Sequence, residues 1–261
     1  MKFKNDFFLL IEKLKNNENF AYTRFSDGEI AIMQNKKLLL ADDHVILGET
    51  HYNFGYTKND HKDFDPSNLE HQKLRQKLLE AYKYKAKNYF VGSICKNCNC
   101  ASAEFKDWMI SEYGSIDDNY TFANLLVNSN YPLFVTHFVK ALKNKKVVIV
   151  CNKTANFSNL PFEVIKEFRV GENCIINDWH LIDEIKSFIN DQKTEDVVFL
   201  FSASSLSEVL IYELYKKFPN NTYVDVGTTL HKHLNMELSR DYLKAYWNSK
   251  IHFDLLRECN G

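Results

Sequence analysis

Asp27-Gly28-Glu29 sets two carboxylates on either side of a residue with no side chain. Hard divalent ions such as Mg²⁺ and Mn²⁺ take oxygen ligands and keep open positions for water and phosphate oxygens. The tripeptide therefore reads as a candidate metal site, with Asp27 and Glu29 as ligands and Gly28 leaving room for a diphosphate. An ion held there would act as a Lewis acid toward a departing phosphate group. Arg24, two residues before Ser26, adds a candidate bidentate phosphate contact. Asp-Gly-Glu is equally a common turn with a capping acid.

Two later segments carry compatible chemistry. Ser202-Ala203-Ser204-Ser205-Leu206-Ser207-Glu208 follows an apolar run and opens a helix. Hydroxyls and backbone N–H groups at a helix start suit an anion, which makes Ser202, Ser204 and Ser205 candidate phosphate contacts. Ser205 and Glu208 also have the spacing of a capping box, and plain capping uses the same groups. In Asp225-Val226-Gly227, Asp225 is a candidate hydroxyl ligand or general base, and Gly227 permits close backbone approach. His231 and His233 flank Lys232 just beyond. Ser239-Arg240-Asp241-Tyr242 is a polar stretch that could fold over such a site or cap a helix.

Other clusters say less. His44, His51, His61 and His71 lack the spacing of a helical zinc pair. Cys95-x2-Cys98-x-Cys100 has no second cysteine pair at metal-binding spacing, since Cys151, Cys174 and Cys259 are isolated, and it reads as a loop of free thiols.

The elements that must position these residues follow from hydrophobic spacing. Phe7, Leu10, Ile11 and Leu14 mark a first amphipathic helix. Phe20 to Phe25 reads as a strand running into Ser26-Asp27-Gly28-Glu29, where Ser26 and Glu29 have capping-box spacing and begin a helix. The acidic pair then sits at a strand-to-helix junction, where α/β proteins place ligands. Residues 42–66 read as a long polar loop. Ser67-x-x-Glu70 reads as a second capping box, opening a helix that bears Leu74, Leu78 and Tyr82. Tyr89 to Gly92 reads as a strand and Leu133 to Leu142 as a helix. Beyond Lys145, strands are expected at 147–151, 174–176, 197–201 and 223–226, with a short helix over Phe162–Phe168 after Pro161 and helices bearing Leu181, Ile185 and Phe188, then Leu206, Leu210 and Leu214. Apolar strands alternating with helices predict an α/β fold: a Rossmann-like, mostly parallel sheet covered on both faces. One domain over 1–261 is expected, an N-terminal segment to residue 145 followed by a Rossmann-like half from 146.

The chain has 261 residues, 45% hydrophobic and 26% charged, with only eight Gly and four Pro, which argues against long linkers. A formal charge of −1 offers no positive field for nucleic acid or anionic lipid. No stretch approaches the ~18 apolar residues of a transmembrane helix, and charge returns too soon after Met1 for a signal peptide. A cytoplasmic protein with reduced cysteines is expected, and the sequence is compatible with an oligomer.

Taken in order, these segments resemble the GT-D glycosyltransferases. Arg24-Phe25-Ser26-Asp27-Gly28-Glu29 is similar to that family's Arg-Phe-Gly-Asp-Gly-Glu type motif, which contains its Asp-x-Glu signature, and departs only at Ser26. Lys146 to Val150 resembles the family's central strand, Val197 to Leu214 its strand, phosphate-side turn and helix, and Tyr223 to Gly227 its Asp-x-Gly ending. Ser202-Ala203-Ser204 stands where the family often has Gly-Pro, and Thr228 where a His commonly follows. The resemblance, over residues 20–231, implies a nucleotide-sugar donor, by family a UDP-sugar, and a glycan or other hydroxyl acceptor. It also implies a divalent cation (Mn²⁺ or Mg²⁺) held through Asp27 and Glu29. The donor would meet Arg24, Ser202, Ser204, Ser205 and Gly227, and Asp225 and His231 are the candidate bases. Two other classes compete. An S-adenosylmethionine-dependent methyltransferase would need a Gly-rich first turn, and the chain holds no G-x-G. A non-catalytic sugar-phosphate-binding protein would need no metal.

Overall fold

Val147–Asn152, Val198–Phe201 and Thr222–Asp225 lack the alternation of half-exposed strands, because they are buried on both faces of one sheet. The computed structural model describes residues 3–41, 44–52, 61–94 and 103–249. Its strands in chain order are β1 (Ala21–Arg24), β2 (Leu38–Ala41), β3 (His44–Leu47), β4 (Thr50–Tyr52), β5 (Lys62–Phe64), β6 (Tyr89–Ser93), β7 (Tyr120–Phe122), β8 (Val147–Asn152), β9 (Val164–Val170), β10 (Val198–Phe201) and β11 (Thr222–Asp225). Seven of them form one sheet in the order β7-β6-β1-β11-β10-β8-β9, and every pairing is parallel.

Successive side chains of each strand enter opposite faces. Val148, Val150, Phe199 and Phe201 join one core with Leu74, Leu78, Ile185 and Leu210, from the helices Leu69–Lys83, Leu181–Gln192 and Leu206–Tyr215. Val147, Ile149, Val198 and Leu200 join the other with Phe7, Leu10, Tyr131 and Phe138, from the helix Phe3–Lys15 and the helical run 131–141. Each such side chain contributes about 1.5–3 kcal/mol on burial, so both layers are needed to hold the strands in place.

From β1 the chain runs outward through β6 to β7. It then crosses to β8 and β9 and returns through β10 to β11, which closes against β1. The two halves therefore diverge from the β1–β11 boundary. Parallel strands bring their C-terminal ends to one edge, and a crevice opens there at the switch point.

Four expectations are corrected. Residues 162–168 are not a helix: Val164–Val170 is edge strand β9, whose Phe168 and Val170 alternate inward while Lys166 and Glu167 face solvent. Residues 174–176 are not a strand but lie in the short helix Cys174–Asn177, entered through Asn173 at φ +48°. The loop expected at 42–66 instead contributes β3, β4 and β5 to a four-stranded antiparallel sheet, order β4-β3-β2-β5. Leu38, Leu40, Val45 and Phe64 are its buried residues. The helix at Leu69 is capped by Asn68, whose side chain accepts from the Glu70 N–H, while Ser67 bonds to Asp65. Cys95, Cys98, Cys100 and Cys259 lie outside the described residues.

Candidate functional site

Arg24 ends β1 and Asp225 ends β11, so the parallel register sets them side by side at the crevice. Arg24 Nε donates to Asp225 Oδ2 over 2.9 Å, and the Gly227 N–H donates to Asp225 Oδ1 over 2.8 Å. Gly227 has φ +48°, and a Cβ there would stand 2.9 Å from Arg24 Nη2. Glycine is thus required twice, for backbone conformation and for the approach of the guanidinium. Burial depresses the Arg24 pKa most; the Asp225 carboxylate, Tyr22 and Tyr242 together more than offset this and hold it above its ordinary value.

Glu29 lies in the first turn of the helix Asp27–Met33. Its Oε2 accepts from the Ser26 backbone N–H and hydroxyl, at 3.0 and 2.9 Å. Its Oε1 accepts from Ser205 Oγ over 2.5 Å. The capping-box reading of Ser26 and Glu29 is met, and the bond to Ser205 ties the turn after β1 to the turn after β10. Ser205, expected among the donor contacts, is buried, and its hydroxyl serves Glu29 instead. The Ser205–Glu208 capping box is not formed. Glu208 turns inward against Asp225, and its buried Oε2 has no partner. Desolvation, then the Asp225 and Glu29 charges, raise its pKa well above the ordinary carboxylate value, which disfavours its charged form.

Two cavities open along this edge. The first, about 180 Å³, is walled by Arg24, Glu29, Ser202, Ala203, Ser204, Glu208, Asp225 and Gly227 from the sheet edge. His61 and Lys62 enter from the antiparallel sheet, and His231, Ser239 and Arg240 close it from the C-terminal side. The second, about 400 Å³, shares Arg24, Ser26, Glu29, Lys62, Thr228 and Arg240, and adds Asp27 together with a wall of Leu38, Leu40, Val45 and Leu47. β5 is fixed beside the site by Asn173, whose side chain accepts from the Asp63 N–H at 2.9 Å and whose N–H reaches the His61 carbonyl. Ser239 and Arg240 do fold over the site. His231 Nδ1 lies 3.1 Å from the Glu237 carbonyl, an acceptor that favours a proton on Nδ1.

Arg24, Ser202, Ser204, Asp225, Gly227 and His231 thus line the first cavity together. Asp27 does not join them. Helix residues two apart point about 200° around the axis from each other, and Asp27 lines only the second cavity. Both Glu29 oxygens already accept hydrogen bonds, and Glu29 and Asp27 both line the second cavity. Among the described residues no group of three His, Cys, Asp or Glu is placed to hold a metal. His61, Lys62 and Glu208 were missed as site residues. The first two sat in what read as a loop. An acid in the first turn of a mostly apolar helix was the available signal for Glu208.

No family model matches the chain, and no curated protein does. Two solved structures match it over 97% of this chain and 90% of theirs, at 14% identity and a TM-score of 0.54. Both are of the domain of unknown function 1792, one of them selenomethionine-substituted and the other described as having a distinct glycosyltransferase fold. The class is thereby defined at the level of architecture: an α/β protein with a parallel seven-stranded sheet and a glycosyltransferase fold. Among the described residues no helix is long and apolar enough to cross a membrane.

Proposed function

We propose that the chain is a glycosyltransferase whose first cavity holds the diphosphate of a nucleoside-diphosphate sugar, by family resemblance a UDP-sugar. One observation carries this reading. Buried polar groups are almost always paired. Seven buried side-chain polar atoms lack a partner among the described residues. Four of them, Arg24 Nη1, His61 Nδ1, Ser204 Oγ and Glu208 Oε2, belong to residues lining this one cavity. Such a concentration supports the reading of a polar ligand here.

The charge balance suits an anion. Arg24, Lys62 and Arg240 face Glu29, Asp225 and Glu208, whose charged form burial disfavours, and the serine turn opens the ten-residue helix Leu206–Tyr215. In transfer, an acceptor oxygen bonds to the anomeric carbon as that carbon's bond to the phosphate oxygen breaks. The nucleoside diphosphate leaves with the electron pair, and the acceptor proton passes to a base. Asp225 is ill suited as that base, since both its oxygens are engaged; its role is to orient Arg24.

A thermal-shift screen of nucleotide sugars, each with EDTA or Mn²⁺, tests the reading. A ligand at 100 times its Kd stabilises by about 2.7 kcal/mol. A shift with UDP-sugars is expected. A shift only with S-adenosylmethionine or with sugar phosphates would instead favour a methyltransferase or a binding protein.

A further inference from the structure

Thr228, Arg240 and Tyr242 reach the cavities from the C-terminal side, and a layer of aromatic rings holds them there. The Tyr242 and Thr228 hydroxyls lie 2.8 Å apart. Trp247 Nε1 donates to the Tyr131 hydroxyl over 2.9 Å, which in turn donates to the Thr229 carbonyl over 3.0 Å. The Tyr131 ring stands 5.1 Å from that of Tyr242 and 5.2 Å from that of Tyr246. The helical run 241–249 is thus seated on Tyr131 and on the turns after β11. At its far end Trp247 meets His233, with ring centroids 5.8 Å apart and planes at 88°.

His233 is an unusual residue to place there. Its Nε2 is buried and has no partner, while the Asn159 backbone bonds to the ring. A neutral imidazole leaves only a lone pair unmet. A second proton would set a donor and a charge where nothing accepts them, which costs far more. Lys232 Nζ already stands 5.8 Å from the Trp247 ring centroid, so another cation beside that indole is repelled. Among the described residues Lys232 is the charged group that bears on His233; the Asn159 backbone and Trp247, from the loop after β8 and the helical run, are neutral. Burial lowers the His233 pKa most, the Asn159 bond partly offsets this, and the Lys232 charge adds to the lowering.

We propose that the His233–Trp247 contact is a pH-sensitive latch on the site: with the ring neutral the run 241–249 stays seated, and protonation unseats it and withdraws Arg240 and Tyr242 from the cavities. The sign follows from linkage. The seated form binds the proton less tightly than the released form, whose histidine has the ordinary value of about 6.5. Seating is therefore complete above that value and is lost as pH falls through the lowered one. The latch stands on its own contacts; its effect on a ligand rests on the donor reading above.

The test follows the indole N–H resonances of the ¹⁵N-labelled whole chain from pH 7.5 to pH 5, with that of Trp247 identified by its loss in Trp247→Phe. The Trp247 resonance should shift and exchange with water faster as pH falls. That of Trp179, which donates to the Ile175 carbonyl at 2.9 Å, should hold and serves as the control. His233→Asn keeps a donor for the Asn159 backbone but takes no proton, and should fix the Trp247 resonance. In calorimetry, UDP-glucose should bind wild type at least about fivefold more weakly at pH 5 than at pH 7.5, and His233→Asn within about twofold. Protonating His61 or His231 would add positive charge to the first cavity and strengthen an anion's hold, the opposite sign. If His233→Asn misfolds, the wild-type titration of Trp247 decides alone. A Trp247 resonance that is constant with pH, one that titrates equally in His233→Asn, or undiminished UDP-glucose binding at pH 5 would each overturn the proposal. If Trp247 titrates and UDP-glucose binds at neither pH, the latch stands and the donor reading is what fails.

Discussion

Arg24 and Asp225, 201 positions apart, meet at 2.9 Å where β1 lies beside β11. The contact is an ion pair between side chains 15% and 6% exposed, so removing one partner strands a charge in a poorly solvated place. Breaking such a pair costs about 3–5 kcal/mol. Arg24→Ala should lower unfolding stability by that order in urea titration. A loss below about 1 kcal/mol would mean the pair behaves as a surface salt bridge.

Gly227 backs the same guanidinium. With φ +48° and Arg24 Nη2 2.9 Å from the position of a Cβ, Gly227→Ala strains the backbone and displaces Arg24 together. A destabilisation of about 1–3 kcal/mol is expected, accompanied by weaker UDP binding. Wild-type stability and UDP affinity in the variant would show that the contact is dispensable.

Ser205 supplies the donor to Glu29 Oε1. Ser205→Ala leaves a buried carboxylate oxygen short of a partner and should cost about 1–3 kcal/mol, read by thermal or urea unfolding. An unchanged midpoint would remove the bond from the account of how the two turns are held.

Glu208 gives a pH signature with a definite sign. Its pKa is raised in the folded chain, so the folded state binds the proton more tightly than the unfolded state does. Its contribution to stability is full below the unfolded value of about 4.3 and is lost as pH rises toward the folded pKa. Glu208→Gln removes this dependence. The variant should gain melting temperature on the wild type between pH 5 and pH 8, at about 1.4 kcal/mol for each unit of the wild-type shift traversed. Parallel curves would show that Glu208 titrates normally.

How far the sequence reaches can be seen in these residues. The apolar runs of β8 and β10 fit strands buried on both faces, and the turns after β10 and β11 lie at one edge of the sheet. β9 was misread because Pro161 resembles a helix start, although Val164, Phe168 and Val170 favour a strand. The antiparallel sheet escaped because strands of three or four residues with polar outward positions differ little from loop. The Asp27–Glu29 pair shows the limit most sharply. Its spacing suggests a chelate, but in a helix beginning at Asp27 the two side chains leave about 200° apart, and only Glu29 reaches the first cavity as well as the second. Glu208 resembled a cap because spacing in sequence does not reveal that Asp225 lies beside it.

The claim that this cavity takes a nucleoside diphosphate is tested most directly by calorimetric titration of UDP, with uridine as the control, into wild type and Arg240→Ala, in EDTA and again in Mn²⁺. The account predicts one UDP per wild-type chain, with uridine and the variant each weaker by at least about tenfold, or about 1.4 kcal/mol. It also predicts UDP affinities in EDTA and Mn²⁺ within about threefold, because Arg24, Lys62 and Arg240 meet the diphosphate charge. No UDP binding in either buffer, or binding that needs Mn²⁺ and vanishes in Asp27→Asn, would contradict it.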